Sequence, residues 1–339
     1  MAELDFLING ARSVFIDGFI AAGSRVAAPY LMTALGIAFM LYLVSRERKS
    51  RDPAGKSFWA FALPKEVYTH ASNGTDVKLF FLGRLLDPFM RVAYIAAASV
   101  TAALVLQGLS GDSNPPEGDA ELALGQLALL TLAMLLVSDF CTYWVHRLHH
   151  EHEALWPFHA VHHSAEVLTP LTLYRKHPVY DLFGALVHGL AAGVMHGLVM
   201  AVFFGPIGVL KIAGVNALIV VLNAAGANLR HSYIWWCFGP VFSRVFISPA
   251  QHQIHHSLAA AHHNKNYGEF FALWDWMFGT LYVPAGREQL TFGLADERGA
   301  RVAQPHPDLR SALLAPFRES FAALKSRSAR SAQDGAARA

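Results

Sequence analysis

Cysteine is nearly absent. The chain of 339 residues holds only Cys141 and Cys237, too far apart for a CxxC pair or a framework, which excludes a disulfide scaffold and thiolate metal sites. Charge is scarce as well: 15% of residues are charged against 54% hydrophobic, and the formal net charge is +2 with no long basic run. That balance excludes a partner gripped through nucleic-acid phosphates and is too apolar for an ordinary soluble domain. The chain has no GxGxxG nucleotide fingerprint, no cysteine set for an iron–sulfur cluster and no fused haem domain. The Glu-x-x-His pairs of a soluble di-iron carboxylate bundle are missing. Neither His150-Glu151 nor His152-Glu153 is followed by a histidine at the spacing of a zinc peptidase.

What is abundant is apolar length. Five stretches, Ala27 to Val44, Val92 to Leu109, Leu122 to Val145, Leu182 to Phe204 and Ile207 to Ala225, approach or exceed the roughly 20 residues of helix that cross a hydrocarbon core. Leu4 to Ala22 carries Asp5, Arg12 and Asp17 and reads as an interfacial amphipathic helix; no cleavage motif follows a basic start, so direct membrane insertion without secretion is expected. Arg46, Arg48, Lys49 and Arg51 follow the first span, and the loop from Gly111 to Glu121 holds Asp112, Glu117, Asp119 and Glu121 with no base. Because Lys and Arg collect on the cytoplasmic side, the first loop is expected inside and the second outside. Counting on, the dense histidines all fall on the cytoplasmic side. Ser232 to Ile247, with Trp235, Trp236 and Arg244, predicts a helix at headgroup level. Ser326 to Ala339 is rich in Ala, Arg and Ser without an apolar period, which predicts a disordered end.

Histidine is the anomaly, with 18 copies, most of them between His146 and His263. Three patterns recur: His146-x-x-x-His150, His159-x-x-His162-His163 and His252-x-x-His255-His256. Positions i, i+3 and i+4 share one helix face, so each pattern aims its imidazoles at a common point. Eight convergent nitrogens suit two divalent ions, since one ion with an open position takes three or four protein ligands. Imidazole accepts iron, zinc, copper or nickel, so ligand type leaves the metal open. The scattered His70, His188, His196 and His306 read as structural, and His149, His152, His262 and His263 as solvent or outer residues. Asp139, Glu166 and Asp275 are candidate acceptors for the second N–H of a ligating imidazole, or else caps and ion pairs.

With Asp139-x-x-x-Tyr143-Trp144-x-His146-Arg147, Trp156-x-x-His159-x-x-His162-His163-Ser164, His177-Pro178, Ser248-Pro249-x-x-His252, His263-Asn264-Lys265-Asn266-Tyr267-Gly268 and Trp274-Asp275-x-x-Phe278-Gly279-Thr280, the chain resembles the fatty acid hydroxylase superfamily, also called the sterol desaturase family, over about Asp139 to Pro284. The resemblance implies a membrane non-haem di-iron oxygenase that hydroxylates or desaturates a C–H bond of a lipid-like substrate, a sterol, fatty acyl chain, ether lipid or related molecule. It implies two iron ions, dioxygen, membrane lipid around the protein and a separate electron donor: a ferredoxin, a cytochrome or a reduced pterin. It also implies a ligand between the last hairpin and the second HxxHH, a place that His231 fills; Ala227 and Tyr233 stand where some members carry a second histidine. His177 is read as either a ligand or a turn residue, because His-Pro can end a helix.

The expected architecture is all-α, an integral membrane protein whose transmembrane helical hairpins stand under a cytoplasmic histidine-rich helical cap. Residues 1–26 are expected to be interfacial, 27–121 to hold N-terminal spans and loop, 122–284 to form the catalytic domain and 285–339 a cytoplasmic tail, in a bacterial inner membrane. The alternatives are a membrane metal-dependent hydrolase, which needs an acid or base beside bound water, and a metal transporter or sensor. The spans offer a transporter only His188, His196, Lys211, Asn216 and Asn223.

Overall fold

The computed structural model describes residues 24–47, 56–113, 122–203, 211–212, 215–296 and 300–338. Leu4 to Ala22 lies outside the described residues, as do Arg48, Lys49, Arg51, Glu117, Asp119 and Glu121 from the orientation argument. In chain order the helices are α1 (Ala28–Glu47), α2 (Phe58–Ala62), α3 (Lys65–Tyr68), α4 (Asn73–Ser110), α5 (Leu124–Glu151), α6 (Trp156–His163) and α7 (Pro178–Phe203). They continue with α8 (Ala217–Ala224), α9 (Gly239–Phe242), α10 (Pro249–His255), α11 (Leu273–Met277) and α12 (Leu309–Arg338). Among the described residues the fold is all-α apart from a two-residue antiparallel pairing of Lys211–Ile212 with Val215–Asn216.

Among the described residues, four helices, α1, α4, α5 and α7, are long and apolar enough to cross a membrane. Their outward faces stay apolar: Leu85, Phe89, Val92, Ile95, Val100, Leu104 and Leu109 of α4 are all exposed. Such a surface suits lipid, where a helix satisfies its own backbone groups. This is an integral membrane protein. At 38 residues α4 is ~57 Å long, nearly twice the ~30 Å hydrocarbon core. Its first turns, with Asp76, Lys78, Arg84, Asp87 and Arg91, therefore rise past the apolar stretch that begins at Val92.

Helices α4, α5 and α7 form the bundle. Close approach of α4 and α7 depends on Gly189, Gly193 and Gly197, one per turn of α7. A Cβ on Gly189 would lie 2.6 Å from the carbonyl oxygen of Tyr94, and one on Gly193 2.5 Å from that of Ala98. Small residues at this spacing let two membrane helices touch backbone to backbone. Helix α1 packs elsewhere: Ala34, Ala38 and Tyr42 face Phe61, Leu229 and Ile234.

Three sequence expectations are corrected. Of the fifth span, residues 207–210 and 213–214 lie outside the described residues; among the rest only the eight residues of α8 are helical, while Lys211–Ile212 and Val215–Asn216 pair as strands, so it does not form as one helix. Helix α8 is ~12 Å long. Asn216 caps its start, accepting a hydrogen bond from Leu218 N–H, and Gly226 (φ +91°) follows its end. Ser232 to Ile247 is not an amphipathic helix either: Gly239 (φ +79°) and Pro240 leave only the four-residue α9 inside a turn-rich stretch. Conversely, the end predicted to be disordered is helical through Arg338, as Ala and Arg are strong helix formers even without an apolar period.

Candidate metal centre

Each histidine pattern sits on a helix whose ends are locally specified. His146 and His150 occupy the last turns of α5. Pro157 opens α6, a position where its missing N–H costs nothing, and His159, His162 and His163 follow within eight residues. Ser248 caps α10: its Oγ accepts from Gln251 N–H, and Gln251 Oε1 accepts from Ser248 N–H at 2.9 Å. His231 lies in the turn after Ala227–Leu229, and Gln253 of α10 brackets it by donating to Leu229 O at 3.1 Å and Ile234 O at 2.9 Å.

All nine predicted histidines come together, in two groups. His146, His150, His159, His163 and His255 form one, and His162, His231, His252 and His256 the other, with the candidate ligand nitrogens of each group within 4.8 Å of one another. The groups adjoin, for the rings of His163 and His256 stack with centroids 4.5 Å apart. Several nitrogens that face the cluster have no hydrogen-bond partner although buried: Nε2 of His146, His150, His163 and His255, and both nitrogens of His159. Orphaned buried acceptors are costly unless something else binds them, so the donor set fits a metal. In the second group Nε2 of His231 stands 3.3 Å from that of His162 and 3.0 Å from that of His252.

The imidazoles are held neutral. Burial first, then repulsion from neighbouring imidazoles, keeps His159, His162, His163, His231, His252 and His256 well below the ordinary range. Burial lowers His255 to about 4. Beside His231, the guanidinium of Arg230 lies 5.1 Å over the Phe270 ring, and burial and then Arg25 push it down to about 9.

The rings of His146 and His255 are oriented by backbone carbonyls, and the three candidate carboxylates bond elsewhere. His146 Nδ1–H donates to Tyr267 O at 2.8 Å and His255 Nδ1–H to Lys265 O at 2.8 Å, leaving each Nε2 lone pair toward the cluster. Asp139 accepts from Phe270 N–H, Phe271 N–H and Trp274 Nε1–H, and Glu166 pairs with Arg301. Asp275 accepts from Tyr267 N–H and Gly268 N–H, both at 2.8 Å, so it acts on His146 only through the loop it fixes. His177 stands outside both groups, with Nε2 donating to Leu313 O. His149 donates to Val145 O, His262 pairs with Glu288, His263 contacts Leu258 O and His152 contacts Arg327.

Sequence reasoning missed Arg175. Fully buried, it donates to Val161 O at 2.8 Å on α6, to Ser164 Oγ at 2.9 Å just after it, to Asp76 Oδ1 at 2.9 Å on α4 and to His306 O at 3.2 Å before α12. One side chain thereby ties the first HxxHH helix to a bundle helix and the C-terminal segment. The visible signal was a charged Arg-Lys-His-Pro run between a histidine motif and a span.

Among the described residues, one cavity approaches the histidines and another is lined by four of them. One, of about 480 Å³, opens among α4, α5, α7 and α8 and ends against Val145 and Tyr180; the Tyr180 ring stacks on that of His159 at 4.8 Å and 21°. The other, of about 220 Å³, is lined by His150, His163, His255 and His256 together with cap residues Ser257, Leu258 and Gly293.

An all-helical membrane fold closing over two adjoining sets of imidazoles defines a class of membrane protein with a histidine cluster that could hold metal. Residues 131–280, which contain all nine of these histidines, match the family model described as fatty acid hydroxylase. Among curated relatives, the chain is 32% identical to an ornithine lipid hydroxylase of Rhizobium tropici, covering 53% of this chain and 51% of the relative. It is 28% identical to an alkylglycerol monooxygenase of Danio rerio over 48% of this chain and 32% of the relative. It is 29% identical to a putative Delta(7)-sterol-C5(6)-desaturase of Arabidopsis thaliana over 47% and 50%. The chain thus spans about half or less of the length of these relatives. No solved structure gives a significant match to it.

Proposed function

We propose that this protein is a membrane oxygenase that hydroxylates or desaturates a C–H bond of a lipid, with two iron ions as its cofactor. The observation that carries this reading is the pair of buried, neutral imidazole groups inside the segment that matches the family. His146, His150, His159, His163 and His255 would hold one ion and His162, His231, His252 and His256 the other. When bound, the iron pair supplies the activation of dioxygen, with electrons from a separate ferredoxin, cytochrome or reduced pterin.

The chain's own residues bind, orient and exclude. Tyr267 O and Lys265 O fix the tautomers of His146 and His255. Tyr180 lines the larger cavity and stacks on His159, so a lipid there would lie one aromatic ring away from the imidazole group. Holding one C–H bond in register is the protein's contribution to rate. Relatives named as hydroxylase, monooxygenase and desaturase share the segment, which supports a lipid C–H bond as the common target. The basic Arg46 in the last turn of α1 favours a cytoplasmic site in a bacterial inner membrane.

Membranes from cells expressing the protein, incubated with isotopically labelled dioxygen and a reductant, are expected to yield an oxidised lipid absent from a His159→Ala, His256→Ala control. An oxidised lipid that forms equally without oxygen would overturn the proposal.

A further inference from the structure

We infer that α12 lies on the surface of an anionic bilayer, with Leu314, Phe317, Phe321 and Leu324 seated among the lipids, and thereby holds the first HxxHH helix at a fixed height over the membrane.

Two rows of side chains on α12 meet different surroundings. Ala312 and Pro316 are buried and Ser320 Oγ donates to Ala154 O at 2.8 Å, a row at i, i+4, i+8 on the side that packs against α6. Leu314, Phe317, Phe321 and Leu324 recur at i, i+3, i+7, i+10, and all four are exposed, Phe321 by 70%. At 3.6 residues per turn the two rows are centred roughly 120° apart. The helix therefore has protein on one side and a bare apolar row a third of a turn further round.

Charge is distributed to suit a lipid surface. Arg318 and Lys325, both exposed, border the apolar row on the side away from α6, while Glu319 stands nearly opposite Phe321. Phe and Leu on one face with Lys and Arg beside them is the pattern of a helix lying in the headgroup region, where the cations attract anionic lipid.

The position of α12 in the fold selects the bilayer over a protein partner. Leu313 O accepts from His177 Nε2–H at 3.1 Å, and the Phe317 ring lies 5.3 Å from that of His177. His177 immediately precedes α7, which exposes its own apolar row, Leu182, Leu186, Leu190, Val194, Leu198 and Val202, along the membrane bundle. Leu182 is five residues beyond His177, ~7.5 Å along the helix. The bare row of α12 thus sits about one and a half turns from the level at which lipid begins to cover α7. Because α12 also packs against α6, its depth in the headgroups sets the height of His159, His162 and His163 above the acyl chains.

The full-length protein in lipid nanodiscs tests this, with an NBD fluorophore on Phe321→Cys or on Ala322→Cys in a Cys237→Ser background, Cys141 being buried. Ala322 is exposed and belongs to neither row. In nanodiscs rich in phosphatidylglycerol, a lipid spin-labelled near the top of its chain is expected to quench the Phe321 label at least about threefold more than the Ala322 label, as an apolar row ~5–10 Å deep requires. Leu324→Cys should match Phe321→Cys, which removes any local effect of one substitution. Exchange of phosphatidylglycerol for phosphatidylcholine, or the pair Arg318→Gln and Lys325→Gln, should lower the ratio. Equal quenching at Phe321 and Ala322 overturns the inference. So does a Phe321 label that neither spin-labelled lipid nor aqueous iodide reaches, the signature of a second copy of the chain on this face. A ratio unmoved by both the lipid exchange and the neutral variants overturns the choice of an anionic surface.

Discussion

An imidazole holds a metal only as the neutral base, and a crowd of nine imidazoles, eight of them buried, makes protonation of any one of them expensive. The sign of the pH dependence follows. Above the ordinary value of 6.5 the folded and unfolded chains are both neutral at these sites. Below it the unfolded chain takes up protons that the folded chain refuses until the lowered values are reached, about 4 for His255. Stability of the metal-free protein is therefore expected to fall steadily as pH drops from 6.5 toward 4. Thermal melts of the chelator-treated protein across that range check it, and a flat profile would contradict it. Asp275→Asn, which weakens the loop presenting Tyr267 O to His146, should cost about 10–100-fold in metal affinity, the range seen when outer partners of metal ligands are lost. Arg175→Ala should destabilise by about 3–5 kcal/mol, because Asp76 would remain as an uncompensated buried charge; a denaturation midpoint within error of wild type would refute it. At this scale eight ligand candidates were legible because i, i+3, i+4 spacing is itself geometry, and the ninth, His231, came from family resemblance. The acceptors that orient the rings were not legible. Tyr267 O and Lys265 O are backbone atoms of a loop, and no side-chain pattern announces them.

Among the elements, apolar length made α1, α4, α5 and α7 readable, since composition alone decides whether a helix tolerates lipid. The stretch from Ile207 to Ala225 is as apolar, yet hydropathy does not register Asn216 as a cap or Gly226 as a terminator, so it overstates the helix. The α4–α7 contact was equally silent before the structure, because glycine at intervals of four reads as loss of helix propensity until a neighbouring backbone is seen against it. Gly193→Leu is expected to separate these helices and lower stability by at least about 1–3 kcal/mol, the usual cost of overpacking. Detergent melting measures it; Gly184→Leu, where nothing lies within 4 Å of a new Cβ, should be nearly neutral by comparison.

For the whole molecule, the start of α4, the end of α5 and the start of α7 meet at the histidines, while Ser110 and Leu124 lie at the far end of the bundle. His70→Cys and Asp112→Cys, in a Cys237→Ser background, are thus expected to react with an impermeant maleimide from opposite sides of the membrane, His70→Cys from the cytoplasm. Labelling of both from one side would contradict the bundle crossing. The central claim, two metal ions held by two imidazole groups, is tested most directly by iron per chain in the purified, iron-loaded protein. Wild type is compared with His146→Ala, His150→Ala and with His231→Ala, His252→Ala, each pair drawn from one group. About two irons in wild type and about one in each double variant is the expected result, given three or four protein ligands per ion. No iron in wild type, or a single metal that survives both pairs of substitutions, would contradict it.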